Sequence, residues 1–574
     1  MTKKNLIAIA ILLIMASTVL APATAQNAQN EFTFRFSLTE GAPKNFVQVT
    51  GGGPQQYISA LIFDPLVVVD LITFDILPSL AETWDISSDG LTYTFHLTHN
   101  AKWHDGVPFT SADVKFTFDG IIEKKYDGYG FLQGITKIET PDDYTVVITL
   151  KKADAAFLIK VNGRYSGLTE ILPKHILDGT DWTQNPFAQK PIGTGPYKFE
   201  SYDGNKVVLV RNDDYFGGKP GFAKIEATVI PDVTLAMKAF ENNDLDWLYG
   251  QVSSLSEYVR LKNLPGNEGA SFFMFVDSLE FNVNKAPFDN LKVRQAFTYA
   301  IDRNELNQKI YLGQGVAQVN PVFPDWLKWA VSPDVKLPGY DPDMANRLLD
   351  EAGFTKGSDG TRFSMKISYA SPYSPPPEFV DVLKSQLAKV GIAVEHEANE
   401  WDIWWEKVYK NKDFDVSLHH IIVVGDPEIG VTNEVDPNSF YYFGYDNPEV
   451  LNMYKSAAAL TDRTKRAQIY AEIQKKLLAD VPYFCLVDAP TPHLWKSTVT
   501  GILKGNNYGL RFAHPVAPAT TTATTTAPTT ATTTTTTEAA PGVDYTPYVA
   551  LVAVIIVLLI GAYAYTKRKP KPQT

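Results

Sequence analysis

Hydrophobic and polar positions repeat along this chain with periods that switch between two and about 3.6 residues. Leu91, Tyr93, Phe95 and Leu97 alternate with Thr92, Thr94 and His96, the pattern of a half-buried strand. Ser87-Ser88-Asp89-Gly90 separates this run from Thr83-Trp84-Asp85-Ile86, which predicts a hairpin around an Asp-Gly turn. Asp203-Gly204 predicts a second hairpin, joining Tyr197–Phe199 to Val207–Val210. Helical spacing appears elsewhere. Thr110 caps a helix running to about Ile122, and Asp113 favours its positive N-terminus. Thr234–Asn242 reads as another helix. Asp289 is the expected cap of the next, which aligns Val293, Ala296, Phe297 and Ala300 on one face. Asp341-Pro342 starts a helix that Gly353 ends, and Glu378–Val390 is amphipathic through Phe379, Leu383 and Leu387. Ile392–Glu397 alternates as a strand, and Thr461–Ala479 carries a last long helix. Helix and strand alternate over Asp341–Leu418, which favours an α/β lobe.

The ends of the chain follow a different logic. Lys3 and Lys4, the apolar Leu6–Leu20 and the Ala23-Thr24-Ala25 site predict an export signal over 1–25. Tyr548–Tyr565 is uncharged and long enough to span a bilayer as a helix. Lys567, Arg568, Lys569 and Lys571 follow it, so the positive-inside rule places the tail 566–574 in the cytoplasm and the body outside the cell. Ala517–Ala540 is almost entirely Thr, Ala and Pro. That composition cannot bury a core, and it predicts a stalk over 515–547.

Composition narrows the classes. The formal net charge is −12, which argues against nucleic acid as a partner. The single Cys485 excludes an intramolecular disulfide framework and a cysteine-based zinc site. It sits in the apolar run Tyr483–Val487 and reads as an inert core thiol. There is no G-x-S-x-G and no H-E-x-x-H, so no enzyme chemistry is expected. Gly193-Thr194-Gly195 lacks the Lys-Ser/Thr ending of a phosphate loop and reads as a structural turn. Gly51–Pro54 reads as flexible chain. The spacing of the His residues suggests neither a metal nor a cofactor, and adjacent His419 and His420 would point to opposite faces of a strand.

Four stretches together resemble family 5 of the bacterial and archaeal solute-binding proteins, the dipeptide, oligopeptide and nickel binders. They are Leu80–Trp84 with Ser88–Phe95, Trp103–Val114, Pro191–Tyr197, and Pro287–Asp289 with Val293–Ala296 and Ala300–Arg303. The resemblance spans about Phe32–Phe512, and the C-terminal anchor is similar to that of archaeal members. It implies an α/β, two-lobed periplasmic-binding-protein-like fold (type II, cluster C) with an extra domain. Carried onto this chain, the first lobe takes 31–70, 187–281 and 489–514. The extra domain takes 71–186 and the second lobe 282–488. The implied role is the solute-binding subunit of an ABC importer at the outer face of the membrane, with permease and ATPase subunits as partners.

The resemblance also implies an acid for a peptide's ammonium group in Gly425–Phe440, four residues before a Pro. Counted back from Pro437, that position is Asn433. Asp426, Glu428, Glu434 and Asp436 are therefore the substitutes, or the ligand is uncharged. His420 is the histidine candidate for the cleft. Trp401, Trp404 and Trp405 share one helical face, which serves either packing or a cleft wall. Trp326, near Trp329, offers a second wall. Peptide is the first ligand expected and oligosaccharide the second. A stalked surface adhesin is the alternative outside transport.

Overall fold

The computed structural model describes residues 32–516 apart from 39–40, 48, 50–55, 71–72, 163–167, 250–251, 253, 372–374, 424, 440 and 503–509, and gives backbone alone at 56, 432 and 433. The signal segment, most of the stalk, the Tyr548–Tyr565 run, the cytoplasmic tail and Gly51–Gly53 lie outside these residues. Among the described residues no helix is long and apolar enough to cross a membrane.

Two long strands, Asn267–Phe281 and Tyr483–Lys496, pair antiparallel along most of their length. They occupy the middle of one mixed sheet. Its strands lie in the order Ile392–Asn399, Phe363–Ala370, Val416–Ile422, Asn267–Phe281, Tyr483–Lys496, Trp247–Tyr249, Thr33–Leu38, Lys224–Val229, Lys206–Arg211 and Tyr197–Tyr202. The two long strands change neighbours part-way. Residues 493–495 pair with Trp247–Tyr249, whereas 275–281 pair with Val416–Ile422. The sheet thus divides into two lobes that share these two strands, and a bulge falls between Phe273 and Phe275. Beside the first lobe, strands Ala81–Ile86, Thr92–Leu97, Thr145–Leu150 and Ile135–Asp142 form a separate antiparallel sheet.

Burial follows this division. Phe34, Phe36, Tyr197 and Trp247 share a core with Tyr93, Phe95 and Val146 of the small sheet. Phe281, Phe297, Ile367 and Phe379 form one core of the second lobe. Trp404, Tyr470 and Cys485 belong to another. A smaller apolar cluster bridges the lobes: Val69, Phe74 and Ile159 meet Phe272 and Met274, with Trp326, Ile422 and Ile429 against them.

The expected elements form for local reasons. Thr110 precedes the helix Ser111–Lys124, and its N–H donates to Asp113 Oδ2 at 3.0 Å. Asp341 caps Pro342–Glu351 by accepting from Met344 N–H at 2.8 Å. Asp462 caps Arg463–Asp480. One cap is corrected: Asn290, not Asp289, accepts from Lys292 N–H at 2.9 Å and starts Leu291–Ala300. The backbone is still extended at Asn290, so the helix begins one residue later than expected.

Candidate functional site

The site begins with strand register. Ser278 pairs with His419 and Asp277 with His420. Successive residues face opposite sides of a sheet, so the two histidines have different surroundings. His420 Nδ1 lies 2.7 Å from Asp277 Oδ1, and Tyr311 donates its hydroxyl to Asp277 Oδ2 at 2.7 Å. On the other side, Glu280 is two residues beyond Ser278 and so diagonal to His419. His419 Nδ1 stands 3.3 Å from Glu280 Oε1. Tyr409 donates to Glu280 Oε1 at 3.1 Å and is 3.0 Å from Oε2.

Glu434 completes this second group. It ends the 3-10 turn Val431–Glu434. Gly430 lets the chain fold back onto the strand: its φ is 126°, and a Cβ there would sit 1.8 Å from the Ile422 carbonyl oxygen. Glu280, His419 and Glu434 are all buried. Burial, and then the adjacent Glu280, push the Glu434 carboxyl well above the usual carboxylate range. Glu434 Oε2 has no hydrogen-bond partner among the described residues. One donor atom from each of the three lies within 4.8 Å of the others, a set suited to a metal ion.

His419 and Glu434 open onto a cavity of about 190 Å3, also lined by Ile422, Ile429, Tyr441 and, from the 71–186 region, Phe131. Phe131 also borders a wider cavity of about 470 Å3, lined by Asp154, Phe157, Lys160, Glu428 and Ala458. Lys160 Nζ is 2.5 Å from Asp154 Oδ2. Ala155 N–H donates to the Ala458 carbonyl at 2.9 Å, tying the 71–186 region to the second lobe beside this cavity. Glu428 accepts from the Tyr470 hydroxyl at 3.2 Å. Burial, then Asp426, push its carboxyl up to about 8.

The expected site residues separate in this setting. Asp426 is not available to a ligand: Arg466 grips both of its oxygens. Asp436 accepts from the Asn438 N–H at 3.0 Å and shapes its own loop. The side chain of Asn433 lies outside the described residues. Trp326 is partly buried at the bridging cluster and stacks on Phe273, with ring centroids 6.0 Å apart. Trp404 is a correction: it is 1% exposed and packs between Tyr409 and His419, behind the cavity wall. Trp401 and Trp405 pack partly buried against the same core. His420 and Glu434 both reach the smaller cavity.

Glu280, His419, Tyr409, Phe131 and Lys160 were not anticipated. Glu280 carried a signal, because it interrupts the apolar run Leu279–Phe281 and a carboxylate buried there needs partners. Phe131 and Lys160 carried none, since the lobes bring them to the cavities from far away in the chain.

A family model described as bacterial extracellular solute-binding proteins, family 5 (middle), matches residues 75–440. A putative ABC transporter peptide-binding protein of Brucella ovis is 32% identical over 440 residues, covering 73% of this chain and 80% of that protein. The dipeptide-binding protein of Escherichia coli K12 is 27% identical over 481 residues, covering 76% of this chain and 85% of that protein. Among solved structures, the periplasmic binding protein DppA of Helicobacter pylori, in complex with the peptide STSA, superposes with a TM-score of 0.68 at 26% identity, over 86% of this chain and 99% of that one. These relatives are binding proteins rather than enzymes.

Proposed function

Because the chain belongs to family 5 of the extracellular solute-binding proteins, we propose that it captures di- and oligopeptides between its lobes and delivers them to the permease of an ABC importer. The observation that carries this reading is the pair of cavities sharing Phe131, where the 71–186 region faces the second lobe. The wider one presents both signs of charge, Lys160 and Asp154, beside the Glu428 carboxyl. A zwitterionic peptide needs both when it leaves water. Glu428 receives the ammonium group in place of the acid expected at position 433, and Lys160 faces the carboxylate. In this reading the lobes are 31–70 with 187–281 and 489–514, then 282–488, with 71–186 as the extra domain. The long shared strands are the hinge between them. The signal, stalk and apolar C-terminal run support a body tethered at the outer face of a membrane.

The second reading keeps the role and exchanges the solute for an oligosaccharide. Trp326 favours it, because its indole Nε1 is buried at the bridging cluster without a hydrogen-bond partner among the described residues. An indole face with a free N–H suits a sugar ring and its hydroxyls.

Titration calorimetry with di- to pentapeptides and with cello- and xylo-oligosaccharides decides between them. Saturable peptide binding that weakens about 10–100-fold in Glu428→Gln is expected, roughly the 1.4–2.8 kcal/mol of a lost charged contact. Tight sugar binding with no peptide binding overturns the first reading.

A further inference from the structure

The group around Glu434 has an unusual balance of charge. Glu280 and Glu434 are buried side by side, with His419 as the third donor. Glu280 is well supported, by the Tyr409 hydroxyl and the His419 ring. Glu434 is less so: its side chain shares a hydrogen bond with Glu280, and its Oε2 is buried with no partner among the described residues. Packing holds the imidazole in place, with ring centroids 5.3 Å from Trp404 and 5.1 Å from Tyr441. Two carboxylate ligands bring two negative charges, which a divalent cation cancels.

We infer that Glu280, His419 and Glu434 form a binding site for a divalent transition-metal ion of the Zn2+, Co2+ or Ni2+ class. The donor set selects this class. Imidazole nitrogen with carboxylate oxygen suits these ions, whereas Ca2+ and Mg2+ prefer six or more oxygens. The scale fits as well. Donors around a tetrahedral ion at about 2.0–2.1 Å stand roughly 3.3 Å apart. The three atoms already lie within 4.8 Å. Glu434 closes the remaining gap by turning its unpartnered Oε2 towards the ion. His419 and Glu434 line the cavity of about 190 Å3, so an ion can enter and keep one coordination position open towards it. Three protein ligands with an open fourth position is the pattern of a site that exchanges its last ligand. Any proton held between the two carboxyls leaves to solvent as the ion enters. The site is separate from Glu428 and Lys160, so it stands whichever solute the cleft accepts.

The full chain, stripped with a chelator and dialysed, is titrated with Zn2+ by calorimetry and with Co2+ by visible absorption. One equivalent is expected, with a Co2+ d–d spectrum typical of nitrogen and oxygen ligands. Glu434→Gln and His419→Gln should each weaken binding about 10–100-fold. His396→Gln, on the edge strand Ile392–Asn399, should stay within about threefold of wild type. Thermal melts check that each variant folds. If His419→Gln unfolds, Glu434→Gln still decides, because it replaces only a carboxyl whose second oxygen is unpartnered. Absence of saturable binding, or unchanged affinity in Glu434→Gln, overturns the inference. Peptide titration of the stripped protein tests the transport reading separately, so either result can fail while the other stands.

Discussion

Arg466 holds Asp426 through both terminal guanidinium nitrogens, at 2.6 Å each, with neither side chain exposed. Tyr470 accepts a further bond from Arg466 at 2.7 Å, and the guanidinium stacks over Trp329 at 5.0 Å. The pair fastens the 425–430 loop to the helix Arg463–Asp480. Asp426→Ala leaves a buried, uncompensated cation and should cost about 3–5 kcal/mol. Urea denaturation measures this loss. A ligand-binding role for Asp426 would instead leave stability near wild type and abolish solute binding.

Two tryptophans should behave in opposite ways. Trp404→Ala empties a core position behind His419 and should destabilise by about 3–5 kcal/mol. Trp326→Ala removes a partly buried ring from the bridging cluster. It should lower solute affinity about tenfold with a smaller change in melting temperature. Calorimetry and thermal melts on the same two variants separate packing from binding.

Glu428 makes stability depend on pH in an uncommon direction. Its folded carboxyl is pushed up to about 8, against an unfolded value of about 4.3. The folded chain therefore holds the extra proton between these values, and stability falls as pH rises through that window. Glu428→Gln should flatten this fall, by up to about 4 kcal/mol. Melting curves from pH 4.5 to 8.5 test it. A peptide ammonium paired with Glu428 favours the ionised acid, so binding at pH 7 should release a proton. Observed binding enthalpies should then differ between phosphate and Tris buffers.

His104 works in the other direction. Gly193 N–H donates to His104 Nδ1 at 3.2 Å, so the ring proton sits on Nε2, which is 3.0 Å from the Gly195 carbonyl oxygen. Burial lowers the ring to about 4. The unfolded chain then holds more protons between about pH 4 and 6.5, and stability is lost as pH falls through that range. The full effect is up to about 3 kcal/mol. His104→Gln should be less stable at pH 7.5 yet lose little more on acidification to pH 4.5. Gly193→Ala should be more damaging than His104→Gln, because its Cβ would lie 1.8 Å from the Ile62 carbonyl oxygen.

Local patterns reached the secondary structure because their causes are local. Thr110 and Asp341 cap the helices that their positions announced, since a cap needs only the next three N–H groups. The period-two run Leu91–Leu97 became a strand with Tyr93, Phe95 and Leu97 buried. The four matching stretches in order were enough to place the chain in its family. Asp289 failed as a cap by one residue, which sequence spacing does not resolve.

The site itself was decided by tertiary structure. The sequence alone established that His419 and His420 face opposite sides of a strand, and it offered Glu434 among four acids. It held no sign that Arg466 would occupy Asp426, because the two are 40 residues apart and meet only when the helix docks on the loop. It held no sign that Glu280 would stand diagonal to His419, 139 residues later, because strand register fixes that neighbour. Phe131 and Lys160 reach the cavities only because the 71–186 region bonds to the second lobe through Ala155 and Ala458. Short-range hydrogen bonding and hydrophobic period were written in the sequence. Which buried charges find partners, and which remain for a ligand, depended on contacts made only when the lobes assembled.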